Sequence, residues 1–326
     1  MRSGGALRAI LLPSVSSSDR VDLSVQVGAL RLSNPVITAS GTFGYGVEFA
    51  GLVDLNRLGG IVTKGISLEP IEGAPAPRLC ETPSGMLNAV GLQNVGAKAF
   101  VADKLPLLRK YNTHCIVNVF GYCLEEYVAV IQSLEEAEGI SAYELNISCP
   151  NVKKGGMQFG SNPILVEEVV GAARKAAWRR PLWVKLMPLV TDIGLIARAA
   201  ESAGADALTV ANTYPAMAID VRTGRSRLGN ATGGLSGPAI KPITLRLVWE
   251  ARRAVKIPIL GLGGIEKAED VLEYMSVGAP AVQVGTASFA DPRASEGIIE
   301  ELPRALKKVK ALSFNELIDR FLKENG

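Results

Sequence analysis

Short runs of apolar and β-branched residues recur along the chain, each closing on a polar residue or a glycine turn. They are Val36 to Ala39, Gly60 to Thr63, Ile116 to Val119, Ala142 to Ile147, Leu182 to Leu186, Ala207 to Ala211, Pro258 to Leu262 and Ala281 to Val284. Runs this short, with no strict alternation of polar and apolar positions, fit strands covered on both faces. Helical spacing of apolar residues lies between most of them. The clearest cases are Leu165 to Ala177, Ile193 to Ala203, and Ala268 to Val277, which stops at Gly278. Strand then helix, eight times over, predicts an α/β fold, the (β/α)8 TIM barrel.

Two of the intervals between runs are far longer than a plain strand–helix unit needs. They hold Gly65 to Gly96 and Thr213 to Gly237, both glycine-rich, which predicts long loop insertions over the C-terminal mouth rather than a second domain. The expected layout is an N-terminal extension over residues 1–20, read as frayed, followed by a catalytic barrel over residues 21–326.

Composition agrees with a soluble globular enzyme. Of 326 residues 48% are hydrophobic and 21% charged, and 35 basic against 32 acidic side chains leave a net charge of +3. That balance, evenly spread, argues against nucleic acid or an anionic membrane as the main partner. No apolar run approaches the roughly 20 residues that span a bilayer. Cys80, Cys115, Cys123 and Cys149 form no C-x-x-C and no zinc or iron–sulfur spacing, so a reducing cytoplasm is the expected compartment and no metal site is expected. His114 is the only histidine, which removes multi-histidine metal sites and points away from histidine as the general base.

A barrel of this kind builds its chemistry at the carboxyl ends of its strands. There the chain carries Ser40, Lys64, Asn118, Asn146 with Cys149, Lys185, Asn212 with Thr213, Gly263-Gly264 and Gly285-Thr286. The glycine pairs after the seventh and eighth runs suit a phosphate cradle of backbone amides plus a threonine hydroxyl. They are not a dinucleotide fingerprint, because Glu266 stands where G-x-G-x-x-G needs its last glycine. Lys64 and Lys185 end apolar strands, so each ammonium is aimed at the mouth and needs an anion there. Asn88, Asn146, Asn151 and Asn212 fall at mouth positions, where amides that donate and accept suit a planar heterocycle. Cys149 leaves its strand between asparagines; an ordinary thiol is only slightly ionised at neutral pH, so as a base it favours mildly alkaline conditions.

These residues resemble the dihydroorotate dehydrogenases, specifically the cytosolic class 1 catalytic subunit, over nearly the whole chain from about Val21. The resemblance is carried by Ala39-Ser40-Gly41-Thr42-Phe43-Gly44, by Gly85 to Asn94, by Asn146-Ile147-Ser148-Cys149-Pro150-Asn151, by Thr232 to Pro238 and by the two glycine pairs. It implies FMN held by Ser40, Lys64, Gly65, Asn118, Asn146, Lys185, Ala211, Gly237, Gly263, Gly264, Gly285 and Thr286. It implies orotate or dihydroorotate held by Lys64, Asn88, Ala89, Val90, Gly91, Leu92, Asn146, Asn212 and Thr213, with Asn151 a further candidate. Cys149 is then the base that removes the C5 proton while hydride passes from C6 to flavin N5.

The Gly65 to Gly96 stretch looks more like class 1B, in which a separate subunit carrying FAD and a 2Fe–2S cluster delivers electrons to NAD. This implies a heterotetramer built on a catalytic homodimer. Val95, Met187, Leu189 and Phe120-Gly121-Tyr122-Cys123 depart from the family pattern without touching the implied catalytic set. Three alternatives stay open at this point: a class 1A fumarate-linked enzyme, a dihydropyrimidine dehydrogenase-like FMN barrel, and a flavin-binding interaction barrel without turnover.

Overall fold

The computed structural model describes residues 21–148 and 159–325. All eight apolar runs are strands: β1 (Val36–Thr38), β2 (Gly60–Val62), β3 (His114–Val119), β4 (Ala142–Asn146), β5 (Leu182–Lys185), β6 (Ala207–Val210), β7 (Ile259–Leu262) and β8 (Val282–Val284). They pair in parallel with their sequence neighbours, and β8 closes on β1 to complete the barrel. The expected helices lie on the outside at Pro163–Ala176, Ile193–Ser202 and Ala268–Ser276. Their starts follow local rules: Asn162 accepts from Ile164 N ahead of Pro163, and Asp192 accepts from Gly194 N and Leu195 N.

Because side chains alternate along a strand, every second residue points into the barrel, and these residues stack in layers. The lowest layer is apolar. Ile37, Val62, Ile116, Ala142, Trp183, Ala207, Leu260 and Ala281 pack there with Val27 and Leu32 of the hairpin Val25–Val27/Leu30–Leu32, which seals the floor. His114 belongs to this end. Its Nε2 donates to the Arg31 carbonyl at 3.0 Å and its Nδ1 lies 3.2 Å from Ser141 Oγ, so the one histidine ties the floor hairpin down, far from the mouth. Two residues further up, the interior turns polar on six of the eight strands, at Lys64, Asn118, Glu144, Lys185, Thr209 and Gln283.

The two insertions correct the loop expectation. Leu79–Thr82 and Gly85–Asn88 from the first join Gly233–Ser236 and Tyr214–Ala216 from the second in a four-stranded antiparallel sheet over the mouth. Its small apolar cluster, Cys80, Leu87 and Leu228, draws on both insertions. Each insertion pairs two short strands of its own, but the apolar cluster is completed only by both together, so neither shows the alternation that would mark strands when read singly.

Candidate active site

The strand ends converge on one cavity of about 800 Å³ between the barrel and the overlying sheet. Eighteen of the residues singled out in the sequence line it together: Ser40, Lys64, Gly65, Asn88, Ala89, Val90, Gly91, Leu92, Asn118, Asn146, Lys185, Asn212, Thr213, Gly237, Gly263, Gly264, Gly285 and Thr286. Ala211 differs. It is fully buried behind the wall, with its N–H donated to Leu262 O at 3.2 Å. Cys149 and Asn151 lie outside the described residues.

The charge at the centre is Lys185, 3% exposed, with Nζ donating to Ser40 Oγ at 3.0 Å. Burial holds its pKa below the usual lysine value, and the nearby Glu144 carboxylate partly restores it. Glu144 is the main residue that sequence reasoning missed. Fully buried on β4, it accepts from Asn118 Nδ2 at 2.8 Å through one oxygen, and from Thr209 Oγ1 at 2.8 Å and Gln283 Nε2 at 2.5 Å through the other. A carboxylate only accepts, so both amides turn their NH₂ groups toward it. Asn118 Oδ1 is thereby left buried without a hydrogen-bond partner among the described residues. The signal was present in the sequence: an acid two positions before Asn146, inside an otherwise apolar strand, faces the same way as that asparagine.

Lys64 is half-buried at the opposite wall, 3.5 Å from Gln93 Oε1, which also accepts from Arg78 Nη1 at 3.0 Å. Burial, then the Arg78 charge, lowers its pKa, against a pull upward from Glu48. At the β4 and β6 exits, Ser148 Oγ donates to Asn146 Oδ1 at 2.7 Å and accepts from Asn212 Nδ2 at 2.5 Å. Asn88 Nδ2 donates to Gly234 O at 3.2 Å, fastening the first insertion to the second.

The far end of the cavity is made of close-set backbone. Gly237 has φ 93°, and a Cβ there would sit 2.7 Å from Gly85 Cα; Gly264 has φ 65°, and a Cβ there would sit 2.8 Å from Gly237 O. Side chains are sterically shut out, leaving a cradle beside Thr286, whose Oγ1 donates to Ser236 Oγ at 2.7 Å. A buried cation and an unpaired amide oxygen at one end, and a glycine cradle with hydroxyls at the other, fit a flat heterocycle bearing a phosphate, as FMN does.

Fold and mouth together define a (β/α)8 enzyme equipped for anionic, hydrogen-bonding heterocycles. The chain belongs to the dihydroorotate dehydrogenase family, whose model matches residues 22–306. It is 52% identical over 299 residues to the dihydroorotate dehydrogenase B (NAD(+)) catalytic subunit of Thermodesulfovibrio yellowstonii, covering 92% of this chain and 98% of that one. It is 54% identical over 296 residues to the protein of the same name from Trichlorobacter lovleyi, covering 91% and 97%. A Solibacter usitatus protein provisionally named dihydroorotate dehydrogenase A (fumarate) is 56% identical over 286 residues, covering 88% and 94%. Among solved structures, the Eimeria tenella dihydroorotate dehydrogenase in complex with ferulenol matches at TM-score 0.75 over 94% of this chain and 90% of that one. At 23% identity, that likeness speaks to the fold.

Proposed function

We propose that the chain is the catalytic subunit of an NAD-linked dihydroorotate dehydrogenase, binding FMN in the barrel mouth and oxidising (S)-dihydroorotate to orotate for pyrimidine synthesis. The observation that carries the reading is the buried Lys185 ammonium facing a cavity ringed by amides and closed at its far end by a glycine cradle. FMN, when bound, supplies the hydride acceptor. Lys185, Asn118, Ser40, Lys64, Gly65 and Asn146 belong to its ring end, with Ala211 behind them; Gly237, Gly263, Gly264, Gly285 and Thr286 belong to its phosphate end.

The protein's own work is positioning and proton transfer. Asn88 to Leu92, Asn146, Asn212 and Thr213, with Asn151, orient the substrate, and Lys64 offers charge to its carboxylate. Cys149 removes the C5 proton, which the adjacent carbonyl acidifies. Lys185 brings positive charge to the place where negative charge builds up.

Electrons leave through a second subunit carrying FAD and a 2Fe–2S cluster and so reach NAD, in a cytoplasmic assembly built on a homodimer of this chain. The NAD-linked relatives support that route. A fumarate-linked reading is favoured by the Solibacter usitatus relative. The test is anaerobic addition of dihydroorotate to the yellow protein, followed by fumarate, or by NAD with an iron–sulfur flavoprotein. Bleaching, then recovery of colour only with the second pair, is expected. A colour that dihydroorotate leaves unchanged would refute the activity, and recovery with fumarate alone would refute the NAD route.

A further inference from the structure

We infer that Ser148 is a positioning residue that sets the hydrogen-bond polarity of the substrate wall, holding Asn146 so that its amide NH₂, not its carbonyl, is offered to the ligand. The inference rests on the substrate reading above and deepens it.

The direction of the chain of bonds is anchored at Asn212 by the backbone. Thr213 N–H donates to Asn212 Oδ1 at 2.8 Å, and a main-chain N–H has no other role than donor. The oxygen of Asn212 is therefore on that side, and its Nδ2 is the atom 2.5 Å from Ser148 Oγ. Nδ2 only donates, so Ser148 Oγ accepts there, and its single proton goes to Asn146 at 2.7 Å. The atom of Asn146 on that side is its oxygen, the arrangement that gives the hydroxyl proton an acceptor. Its NH₂ remains for the cavity, which Asn146 and Asn212 both line. From behind, Tyr127 OH donates to the Asn146 main-chain carbonyl at 2.8 Å, so the backbone that carries this amide is held as well. Ser148 is 3% exposed.

Two consequences follow. The wall at Asn146 presents donors, which suits a carbonyl or carboxylate oxygen of the substrate. And Ser148, although next to Cys149 in sequence, has its proton and one of its two lone pairs engaged by amides, so it holds rather than transfers protons.

The test compares holoenzyme of the wild type with Ser148→Ala, Asn146→Ala and the double variant, titrating orotate against the flavin absorption spectrum and recording kcat and KM against pH. Removing the hydroxyl frees the Asn146 amide to turn, while Asn212 stays held by Thr213 N–H, and Ser148→Ala is expected to raise the orotate Kd and the dihydroorotate KM about tenfold. The pH at which kcat falls on the acid side is expected to stay at its wild-type position. In the Asn146→Ala background, Ser148→Ala is expected to change Kd by less than about twofold, because the amide it acts through is gone. Should Ser148→Ala not yield holoenzyme, Ser148→Cys, a weaker donor and acceptor of similar size, is read in the same way.

An orotate Kd equal to that of the wild type, or an equal loss with and without Asn146, would overturn the inference. So would a shifted acid limb at unchanged Kd, which would put Ser148 in the proton transfer itself. If the wild-type holoenzyme itself fails to bind orotate, the substrate reading falls and this inference with it.

Discussion

Glu144→Ala takes away the only carboxylate, among the described residues, of the polar layer inside the barrel. Asn118, Thr209 and Gln283 lose their common acceptor, and the Lys185 ammonium loses the negative charge that offsets its burial. Each of the three orphaned donors costs about 1–3 kcal/mol before relaxation and water entry return part of it, and the loss of a nearby charge at Lys185 adds to this. These contributions share partners and do not add in full, so a net loss of about 4 kcal/mol is expected. At roughly 2–4 °C per kcal/mol for large domains, the melting temperature should fall by about 8–16 °C. Glu144→Gln preserves the volume but presents an NH₂ group on one side, so it cannot accept from all three donors. Its loss should be smaller than that of alanine. Calorimetry or circular dichroism of the three flavin-free proteins, at one protein concentration, measures both effects. An alanine variant melting within about 2 °C of the wild type would refute the idea that this carboxylate organises the layer.

Cys149→Ala should keep its flavin colour while losing about 10²- to 10⁴-fold in turnover, the usual cost of a positioned base; full activity would remove Cys149 from the mechanism. Gly237→Ala puts a Cβ 2.7 Å from Gly85 Cα at φ 93°, so it should release the cofactor on gel filtration while the barrel still folds, and a variant that stays yellow would refute the cradle. Burial pushes the Cys115 thiol and the Tyr214 hydroxyl up to about 12, from ordinary values of 9.0 and 10.0. In that window the folded chain holds protons that the unfolded chain has lost, so their stabilising effect is complete below about pH 9 and is lost as pH rises through 12. Urea midpoints should therefore decline above pH 9, and native Cys115 should resist iodoacetamide at pH 8; rapid alkylation there would contradict the burial.

The barrel was legible because parallel strands covered on both faces must be apolar nearly throughout, so a polar residue at the end of a run stands out. Lys64, Lys185, Asn118 and Asn146 were found in that way. Glu144, Thr209 and Gln283 lie inside their runs, where a single polar residue reads as an interruption until the inward-facing positions of neighbouring strands are aligned. Ser148 was hidden for another reason: its importance lies in which atoms of Asn146 and Asn212 face it, and no spacing encodes that. The sheet above the mouth was illegible because each half is stabilised by a segment more than a hundred residues away.

That remoteness bears on the order in which the molecule matures. Ser236 reaches Met86 across 150 positions, and the two insertions leave the barrel from opposite halves of the polypeptide. The roof of the pocket therefore has to wait until synthesis has passed the sixth strand and the cylinder has brought both segments to the same rim, since contacts so distant in sequence are late and entropically costly to form. A fragment ending before Thr213 would lack two of the roof's four strands. Competence to grip a ligand is acquired at the close of folding, as a property of the completed chain.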